Sequence, residues 1–346
     1  MTTKAIYIYG IIPNLCSIGM FRSLENTSVY AIPYQNISAI VSDRERELPD
    51  FSDRESLGRL LVNHQNIIEG LMEKGLLTIV PMKLGTIAKS IDEVLKILTD
   101  GYDLFAETLK KLEHLTEIDI AVSWANFPST LNQIADDPEI IAMKEDIMKK
   151  KDTILHIDQV KVGMMLQTKL REKNFRIELN ILDALAPLSI DIKTHELMND
   201  QMITNSAFLL NRNNKELFEC TIDNLDKEYK GFLNFKLIGP LSCYSFYTME
   251  VKELNPEHIA QAQKELGLRE EITEPEIKKA YLEKAKLFHP DTMLENGAEK
   301  NFNKISNAYK TLLEYSAAAR QYSPGNLISL AREKVINNLI LIKIKD

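Results

Sequence analysis

Apolar and polar residues alternate in several short stretches of the chain, and each such stretch predicts a β-strand. The alternation covers residues 4–12 and 117–124, and residues 29–32 and 37–41 form a predicted hairpin around the turn at residues 33–36. Further strands are predicted at residues 76–82, 202–210 and 232–238.

Longer segments repeat their apolar residues every three or four positions, which predicts amphipathic helices. The segments are residues 54–74, 91–115, 129–151 (broken near Asp137-Pro138), 154–185 and 215–229. His64 lies on the apolar side of the first of these helices, so we expect a hydrogen-bonded core histidine there and not a metal ligand.

The order of these elements predicts an α+β protein of several domains, since 346 residues suit two or three of ordinary size. Residues 1–115 form a predicted N-terminal α+β domain. Residues 116–254 follow the strand–helix–strand–helix–strand order of a ferredoxin-like domain. Asn255-Pro256 is the expected linker to an all-helical module at residues 257–322. Residues 323–346 are a tail, with a helix expected after Pro324 because Leu327, Ile328, Leu330, Ala331 and Val335 have helical spacing.

Within the helical module, a helix start signal precedes the tripeptide His289-Pro290-Asp291. Thr273 and Glu276 are spaced as a capping box, and Pro275 occupies the first turn, where its missing N–H costs nothing. Pro290 ends the helix, because the residue before a proline is displaced from helical geometry. A second amphipathic helix follows Gly297, so the tripeptide is expected on an exposed loop between two antiparallel helices.

This module resembles a J-domain, the part of Hsp40-type co-chaperones that engages Hsp70. The resemblance rests on Leu266-Gly267-Leu268, Glu276-Ile277-Lys278-Lys279-Ala280-Tyr281, His289-Pro290-Asp291, Phe302, Ile305, Ala308-Tyr309, Arg320 and Tyr322. It implies that Hsp70 (DnaK) is a partner, bound through the tripeptide and a basic helix face. The Hsp70-binding residues it implies are His289, Pro290, Asp291, Lys278, Lys279 and Lys286. Leu282 and Leu287 stand where the family usually has basic residues.

Charge is unevenly distributed along the chain, whose formal net charge is −8. Residues 1–257 contain 28 basic and 38 acidic residues, whereas residues 258–321 contain ten of each. An acidic body binds polyanions poorly, so nucleic acid and anionic membrane are not expected as partners. No apolar run reaches the roughly 18 residues of a membrane span, and no signal peptide pattern is present. We therefore expect a cytoplasmic protein.

Catalytic and metal-binding patterns are nearly absent, so no enzyme activity, cofactor or metal is expected. The six histidines include no pair at metal-ligand spacing. The three cysteines are far apart in the sequence, so we expect them to be free thiols in a reducing compartment. The stretch Pro81-Met82-Lys83-Leu84-Gly85-Thr86 has too few glycines for a phosphate loop. Asp136-Asp137, at a helix break, is interpreted as a capping pair.

The body of the chain resembles the gas vesicle protein family GvpL/GvpF over about residues 4–250. The resemblance rests on Tyr7-Ile8-Tyr9-Gly10-Ile11, Leu77 to Thr86, Asn205 to Leu210, and Ile238-Gly239-Pro240 with Tyr244-Ser245-Phe246. It implies a non-catalytic assembly factor or minor vesicle component that contacts the shell protein GvpA and other vesicle proteins. It also implies an α+β domain followed by a modified ferredoxin-like domain.

Three hypotheses follow from the two resemblances. The first is an adaptor at the gas vesicle, in which residues 1–250 bind the shell protein and the J-like module recruits Hsp70. The second is a purely structural vesicle protein whose J-domain is degenerate, as Leu282 and Leu287 suggest. The third, an enzyme with a cleft between two α+β domains, lacks a nucleophile–base pair or metal set in the sequence.

Overall fold

A computed structural model of the chain describes residues 5–14, 21–22, 28–44, 53–150, 156–288, 298–322, 328–330 and 340–345. It forms two compact units. The first contains residues 1–109 and 247–346, and the second contains residues 110–246. The J-like module thus belongs to the same unit as the N-terminal sheet.

The N-terminal part of the first unit is built on a mixed-length antiparallel sheet with the order β2-β3-β4-β1-β5, to which β6 adds on β1. Its elements are β1 (Ala5–Pro13), β2 (Phe21–Arg22), β3 (Ser28–Tyr34), β4 (Ile37–Arg44), α1 (Arg54–Glu73), β5 (Val80–Pro81), β6 (Ile87–Ala88), α2 (Ile91–Asp100) and α3 (Tyr102–Leu112). The predicted hairpin is confirmed as β3–β4. The predicted helix at residues 91–115 is divided at Gly101, and only two residues of the predicted strand 76–82 are strand.

His64 lies in the core of this region, as expected. Its Nδ1 is 2.8 Å from the hydroxyl of Tyr7, and the side chain is buried. Burial disfavours the charged imidazolium and lowers the pKa of His64 to about 4. The Tyr7 hydroxyl also accepts a hydrogen bond from Gly85 N at 3.1 Å, so it joins β1, α1 and the loop between β5 and β6.

The second unit has the βαββαβ order of the ferredoxin-like fold. Its elements are β7 (Leu115–Trp124), α4 (Phe127–Ala135), α5 (Pro138–Lys150), α6 (His156–Leu185), β8 (Asp191–Thr194), β9 (Met202–Asn211), α7 (Lys215–Tyr229), β10 (Leu233–Leu241) and the short α8 (Tyr244–Tyr247). The last residue of α8 already belongs to the first unit. The sheet order is β10-β7-β9-β8. The pattern of apolar residues did not predict β8, which contains a single aliphatic residue, Ile192.

Alternate residues of β7 face opposite sides of this sheet. Ile118, Ile120, Val122 and Trp124 pack in one apolar cluster with Phe218 and other residues of the helices. Glu117 and Asp119 therefore lie on the other face.

The C-terminal part of the first unit contains the J-like module and the strands on either side of it. Its elements are β11 (Met249–Glu253), α9 (Pro256–Leu266), β12 (Glu271–Ile272), α10 (Glu274–Leu287), α11 (Ala298–Tyr322), β13 (Ile328–Ser329) and β14 (Ile340–Ile344). The apolar side chains of α9, α10 and α11 form one core with Leu254, Ile272, Ile328, Leu330 and Leu341. The expected linker Asn255-Pro256 is the start of α9, where Asn255 Oδ1 accepts a hydrogen bond from Glu257 N at 2.8 Å.

The described part of the tail is strand, whereas a helix was expected after Pro324. Ile328 and Ser329 pair with Ile272 and Glu271, because Ile328 then enters the core of the module. The other expected helix residues, Leu327, Ala331 and Val335, lie outside the described residues. Further on, β14 pairs antiparallel with β11 over five residues.

The strands that lead into and out of the module therefore form one two-stranded ribbon. This ribbon contacts the N-terminal sheet, since Lys83 N donates to Met249 O at 2.8 Å. None of the helices in the described ranges is both long and apolar enough to cross a membrane.

Candidate functional site

The helix α10 carries the three lysines that the J-domain resemblance implies as part of an Hsp70-binding face, and its start is as predicted. The carboxylate of Glu276 accepts hydrogen bonds from the N–H and the hydroxyl of Thr273 at 2.7 and 2.8 Å. These bonds hold the pKa of Glu276 below its usual value. Pro275 lies in the first turn, where no donor is lost.

The apolar side of α10 packs on α11, and this contact orients the opposite side to solvent. Ile277 is fully buried, and the rings of Tyr281 and Tyr309 stack with centroids 4.3 Å apart. Glu274, at the start of α10, pairs with Arg320 near the end of α11. The ion pair therefore joins the start of α10 to the end of α11, and the stacked tyrosines join the two helices further along.

The exposed side of α10 brings together Lys278, Lys279 and Lys286, all accessible to solvent. Leu282 lies between them at helical spacing and is 48% exposed, and Leu287 is 63% exposed. We call Lys278, Lys279, Leu282 and Lys286 the basic face. His289, Pro290 and Asp291 lie outside the described residues; Phe288, the residue before them, closes α10 with a hydrogen bond from its N–H to Lys284 O.

Lys284 is not part of the basic face. Its ammonium group donates to the carbonyl oxygen of Glu265 near the end of α9, and it lies next to Gly267. Gly267 has a φ of +67° at the end of α9, the left-handed conformation that glycine adopts readily. Lys284 therefore joins α10 to α9, while the charge that faces solvent comes from the other lysines.

A second polar cluster, in the ferredoxin-like unit, was not predicted. Glu117 is fully buried, and its two carboxyl oxygens accept hydrogen bonds from Ser245 N at 2.9 Å and from Ser245 Oγ at 2.7 Å. Ser245 Oγ is also 3.3 Å from His195 Nε2. In the sequence, Glu117 belongs to the polar half of an alternating strand, so nothing distinguished it from a solvated residue.

Burial and the neighbouring Asp119 carboxylate raise the pKa of Glu117 to about 8. Burial also raises the pKa of Asp119, against the charge of His195 and a hydrogen bond with Glu117. The thiol of Cys243, in the same segment as Ser245, has its pKa raised to about 12, chiefly by burial and also by Glu117. At neutral pH the Glu117–Asp119 pair therefore holds a proton.

The Ser245, His195 and carboxyl set does not have the arrangement of a hydrolase. The Ser245 hydroxyl donates to Glu117, whereas a nucleophilic serine donates to its histidine base. Two clefts of about 740 and 680 Å³ are lined by other residues. Within the described ranges, no three His, Cys, Asp or Glu side chains are grouped to hold a metal ion. The cluster anchors the segment after β10 to β7.

Gly239, in the same motif as Pro240, is required by the close approach of β10 to β7. Its φ is +145°, and a Cβ there would lie 3.0 Å from the carbonyl oxygen of Glu117. Gly10 has a similar role in β1, where a Cβ would lie 2.8 Å from Ile79 Cγ2 and 3.0 Å from Val80 O. Both glycines belong to the motifs of the GvpL/GvpF resemblance.

Curated gas vesicle proteins are similar to this chain over most of their own length. The chain is 22% identical over 246 residues to gas vesicle protein F of a Nostoc species, which covers 70% of this chain and 98% of that protein. It is 23% identical to gas vesicle protein F1 of Halobacterium salinarum over 251 residues, 72% of this chain and 95% of that protein.

Solved structures agree on the fold of the same region. The crystal structure of gas vesicle protein GvpF from an Anabaena species matches with a TM-score of 0.59 and 22% identity, over 70% of this chain and 97% of that chain. The crystal structure of GvpF from Microcystis aeruginosa matches with a TM-score of 0.56 and 20% identity, over 70% and 98%.

The C-terminal part is similar to chaperones. The DnaJ homolog 1, mitochondrial, of Saccharomyces cerevisiae is 39% identical over 85 residues, 24% of this chain and 16% of that protein. The DnaJ domain family matches residues 264–322, and the family described as gas vesicle synthesis protein GvpL/GvpF matches residues 5–248. Since the second match covers most of the chain, the protein belongs to the GvpL/GvpF family of gas vesicle synthesis proteins and carries a DnaJ domain at its C-terminal side.

Proposed function

We propose that the protein is a non-catalytic gas vesicle assembly factor that binds the shell protein GvpA and recruits Hsp70 (DnaK). Residues 1–250 bind the shell protein or the growing vesicle in the cytoplasm. His289, Pro290 and Asp291, with Lys278, Lys279 and Lys286, engage Hsp70. The observation that carries the proposal is one chain that joins a GvpL/GvpF body to a DnaJ domain.

The chemistry of a gas vesicle shell supports the combination of the two parts. A shell subunit presents an apolar face to the gas, and before assembly that face is exposed to water, where it promotes aggregation. A factor that binds the subunit and keeps Hsp70 nearby lowers that hazard, because linkage raises the local concentration of the chaperone.

The geometry of α10 supports the Hsp70 part. Lys278, Lys279 and Lys286 are exposed, while the apolar side of α10 packs on α11, so the basic face can meet an acidic surface. Complementary charge accelerates association and selects the partner.

The test measures Hsp70 ATPase activity and shell-protein capture with the full chain. The substitution His289→Gln is expected to abolish stimulation of the ATPase while it leaves capture of GvpA unchanged. His258→Gln, at an exposed histidine of α9 in the same module, is the matched control and is expected to change neither. Unchanged stimulation by the His289→Gln protein would overturn the recruiting role.

A second candidate function is a structural vesicle protein whose J-domain no longer stimulates Hsp70. Leu282 and Leu287 favour it, since both are exposed where charge would aid binding. The same ATPase assay decides between the two: the unsubstituted chain stimulates hydrolysis under the first proposal and leaves the basal rate unchanged under the second.

A further inference from the structure

The N-terminal sheet, α1, α2 and the β11–β14 ribbon line a cleft of about 680 Å³, within one unit. We call it the edge cleft. Its large apolar lining residues are Leu57, Leu84, Ile87, Ile97, Val251 and Ile340. This volume lies within the range of ordinary ligand sites in proteins, roughly 300–1,000 Å³.

One wall of the edge cleft is the outer edge of β11. Lys345 N donates to Thr248 O, and Met249 pairs with Ile344, so hydrogen-bonded and non-hydrogen-bonded pairs alternate along the ribbon from that point. Val251 and Glu253 are therefore in non-hydrogen-bonded pairs with β14, and their N–H and C=O groups point away from it. Met249 has the same orientation, and its carbonyl oxygen accepts the hydrogen bond from Lys83.

The opposite wall is the outer edge of β6. Ile8 N donates to Thr86 O, and Tyr7 pairs with Ile87, so Ile87 is in a non-hydrogen-bonded pair. Its backbone N–H and C=O groups therefore point away from β1, and Ile87 is one of the residues that line the cleft. Two strand edges thus face the same apolar space.

The two edges are joined at one end and separate further along. Met82 and Met249 form a parallel bridge, and beyond it Lys83 pairs with Glu250 and Lys89 Nζ lies 3.0 Å from Glu253. Each of these lysines and glutamates has a partner, and the third glutamate of the lining, Glu93, accepts a hydrogen bond from Lys89 N, so the space between them suits an uncharged segment. The five residues of β11 span roughly 16 Å, the length of about five extended residues.

We infer that the edge cleft binds an extended, uncharged segment of the client protein, with apolar residues at alternate positions, as an added β-strand. The client is the protein that the assembly factor serves, so this identification of the partner rests on the proposed function. Backbone hydrogen bonds to Ile87 and Val251 provide affinity, and the apolar lining receives alternate side chains, as in other cases of strand addition.

The C-terminal extension completes this site. The GvpL/GvpF match ends at residue 248, one residue before β11 begins, and Ile340 of β14 contributes to the lining. The site therefore requires the ribbon that carries the DnaJ domain, which extends the client-binding region beyond residue 250 and places the client segment beside the start of the J-like module.

The first test uses a synthetic octapeptide of alternating Val and Thr and the same peptide with N-methyl groups on its two central residues. Fluorescence anisotropy with the full chain is expected to show binding of the first peptide and at least tenfold weaker binding of the second. Val251→Pro removes the N–H that faces away from β14 and keeps an apolar side chain, at a position where an edge strand tolerates proline. It is expected to weaken peptide binding at least tenfold, whereas Val251→Thr, which keeps the N–H, stays within threefold.

Two outcomes would overturn the inference: equal binding of the two peptides, or no binding of the unmodified peptide. The N-methylated peptide gives this answer even if the proline variant does not fold. Capture of GvpA separates the inference from the proposed function. If neither the peptide nor Val251→Pro reduces capture of GvpA, the edge cleft is not the client site, and the proposed function stands. Peptide binding without GvpA capture overturns the proposed function and leaves the cleft as a strand-binding site.

Discussion

Ser245 donates hydrogen bonds to both oxygens of the buried Glu117 carboxyl group, one from its backbone N–H and the other from its hydroxyl. Glu117 lies near the start of β7 and Ser245 lies 128 residues later, in the segment that follows β10. The contact attaches the end of the second unit to the first strand of its sheet. Because the site is buried and Asp119 is adjacent, the pKa of Glu117 is raised and the Glu117–Asp119 pair holds a proton at neutral pH.

The stability of the second unit should therefore decrease as the pH rises. In the unfolded chain Glu117 ionises near its ordinary pKa of 4.5, whereas in the folded chain its pKa is about 8. The folded state thus holds the proton more tightly, and its stabilisation is complete below pH 4.5 and lost as the pH rises through 8. Glu117 contributes a decrease of at most about 1.4 kcal/mol per pH unit in this window.

Urea unfolding at a series of pH values measures this effect. Glu117→Gln is expected to flatten the decrease between pH 5 and 8, because an amide does not ionise. Glu172→Gln, at an exposed position of α6, is the control and should retain the wild-type profile. Identical profiles for the two variants would contradict the assignment of the proton to Glu117.

The basic face of α10 should make Hsp70 binding sensitive to salt. Replacement of Lys278, Lys279 and Lys286 by alanine removes three exposed charges, each worth up to about 1 kcal/mol. We expect affinity for Hsp70 to fall about tenfold at low ionic strength, with a smaller salt dependence in what remains. Titration by surface plasmon resonance at several salt concentrations checks both effects.

Lys304 and Lys310, on α11, provide the matched control for this experiment. Their replacement by alanine should leave the affinity for Hsp70 and its salt dependence close to those of the unsubstituted chain. An equal loss from both sets of lysines would mean that overall charge, and not the basic face, governs binding.

The Tyr7 hydroxyl should contribute measurably to the stability of the N-terminal sheet. Tyr7→Phe removes the partner of both His64 Nδ1 and Gly85 N. Loss of the partner of a buried polar group costs about 2 kcal/mol, and we expect a decrease of that size in the free energy of unfolding. Tyr30→Phe removes an exposed hydrogen bond to Asp43 and should cost less than about 0.5 kcal/mol in the same urea experiment.

The tail should be required for a stable J-like module. Removal of residues 323–346 deletes Ile328, Leu330 and Leu341 from the core that α9, α10 and α11 share. Each buried aliphatic side chain contributes about 1.5–3 kcal/mol, so the loss is several kcal/mol. We expect faster amide hydrogen exchange throughout α9 and α11, measured by mass spectrometry.

Point substitutions distinguish the loss of these contacts from an effect of chain length. Leu341→Asp places a charge in the same core and should reproduce much of the faster exchange. Lys345→Ala, at an exposed position of the same segment, should not. Slow exchange in the shortened chain would mean that residues 257–322 are stable without the tail.

The sequence predicted the elements whose signal is local. The capping residues Thr273 and Glu276 and the apolar stripe through Ile277 are such signals, and α10 forms as they indicate. The alternation of Ile118, Ile120 and Val122 likewise predicted β7. The resemblance motifs predicted both families, which the comparisons confirm.

Features made by distant residues could not be predicted in this way. Ile328 is spaced as if on a helix, yet it is strand, because Ile272 offers a pairing edge 56 residues earlier. In the sequence Glu117 is an ordinary polar residue of a strand, and its buried site exists only because Ser245, 128 residues later, packs against it. The edge cleft requires Ile87, Val251 and Ile340 together, and no local pattern relates them.

The pairing of β11 with β14 also has a consequence for protein engineering. Residues 253 and 340 are direct neighbours across the ribbon, so the segment between them begins and ends at adjacent positions. A segment with adjacent ends can be exchanged for another whose termini are close, which is the condition under which domain insertion succeeds. The J-like module can thus be replaced as a unit: a fluorescent protein or an affinity domain grafted between these two positions would leave the GvpL/GvpF-like part of the chain intact.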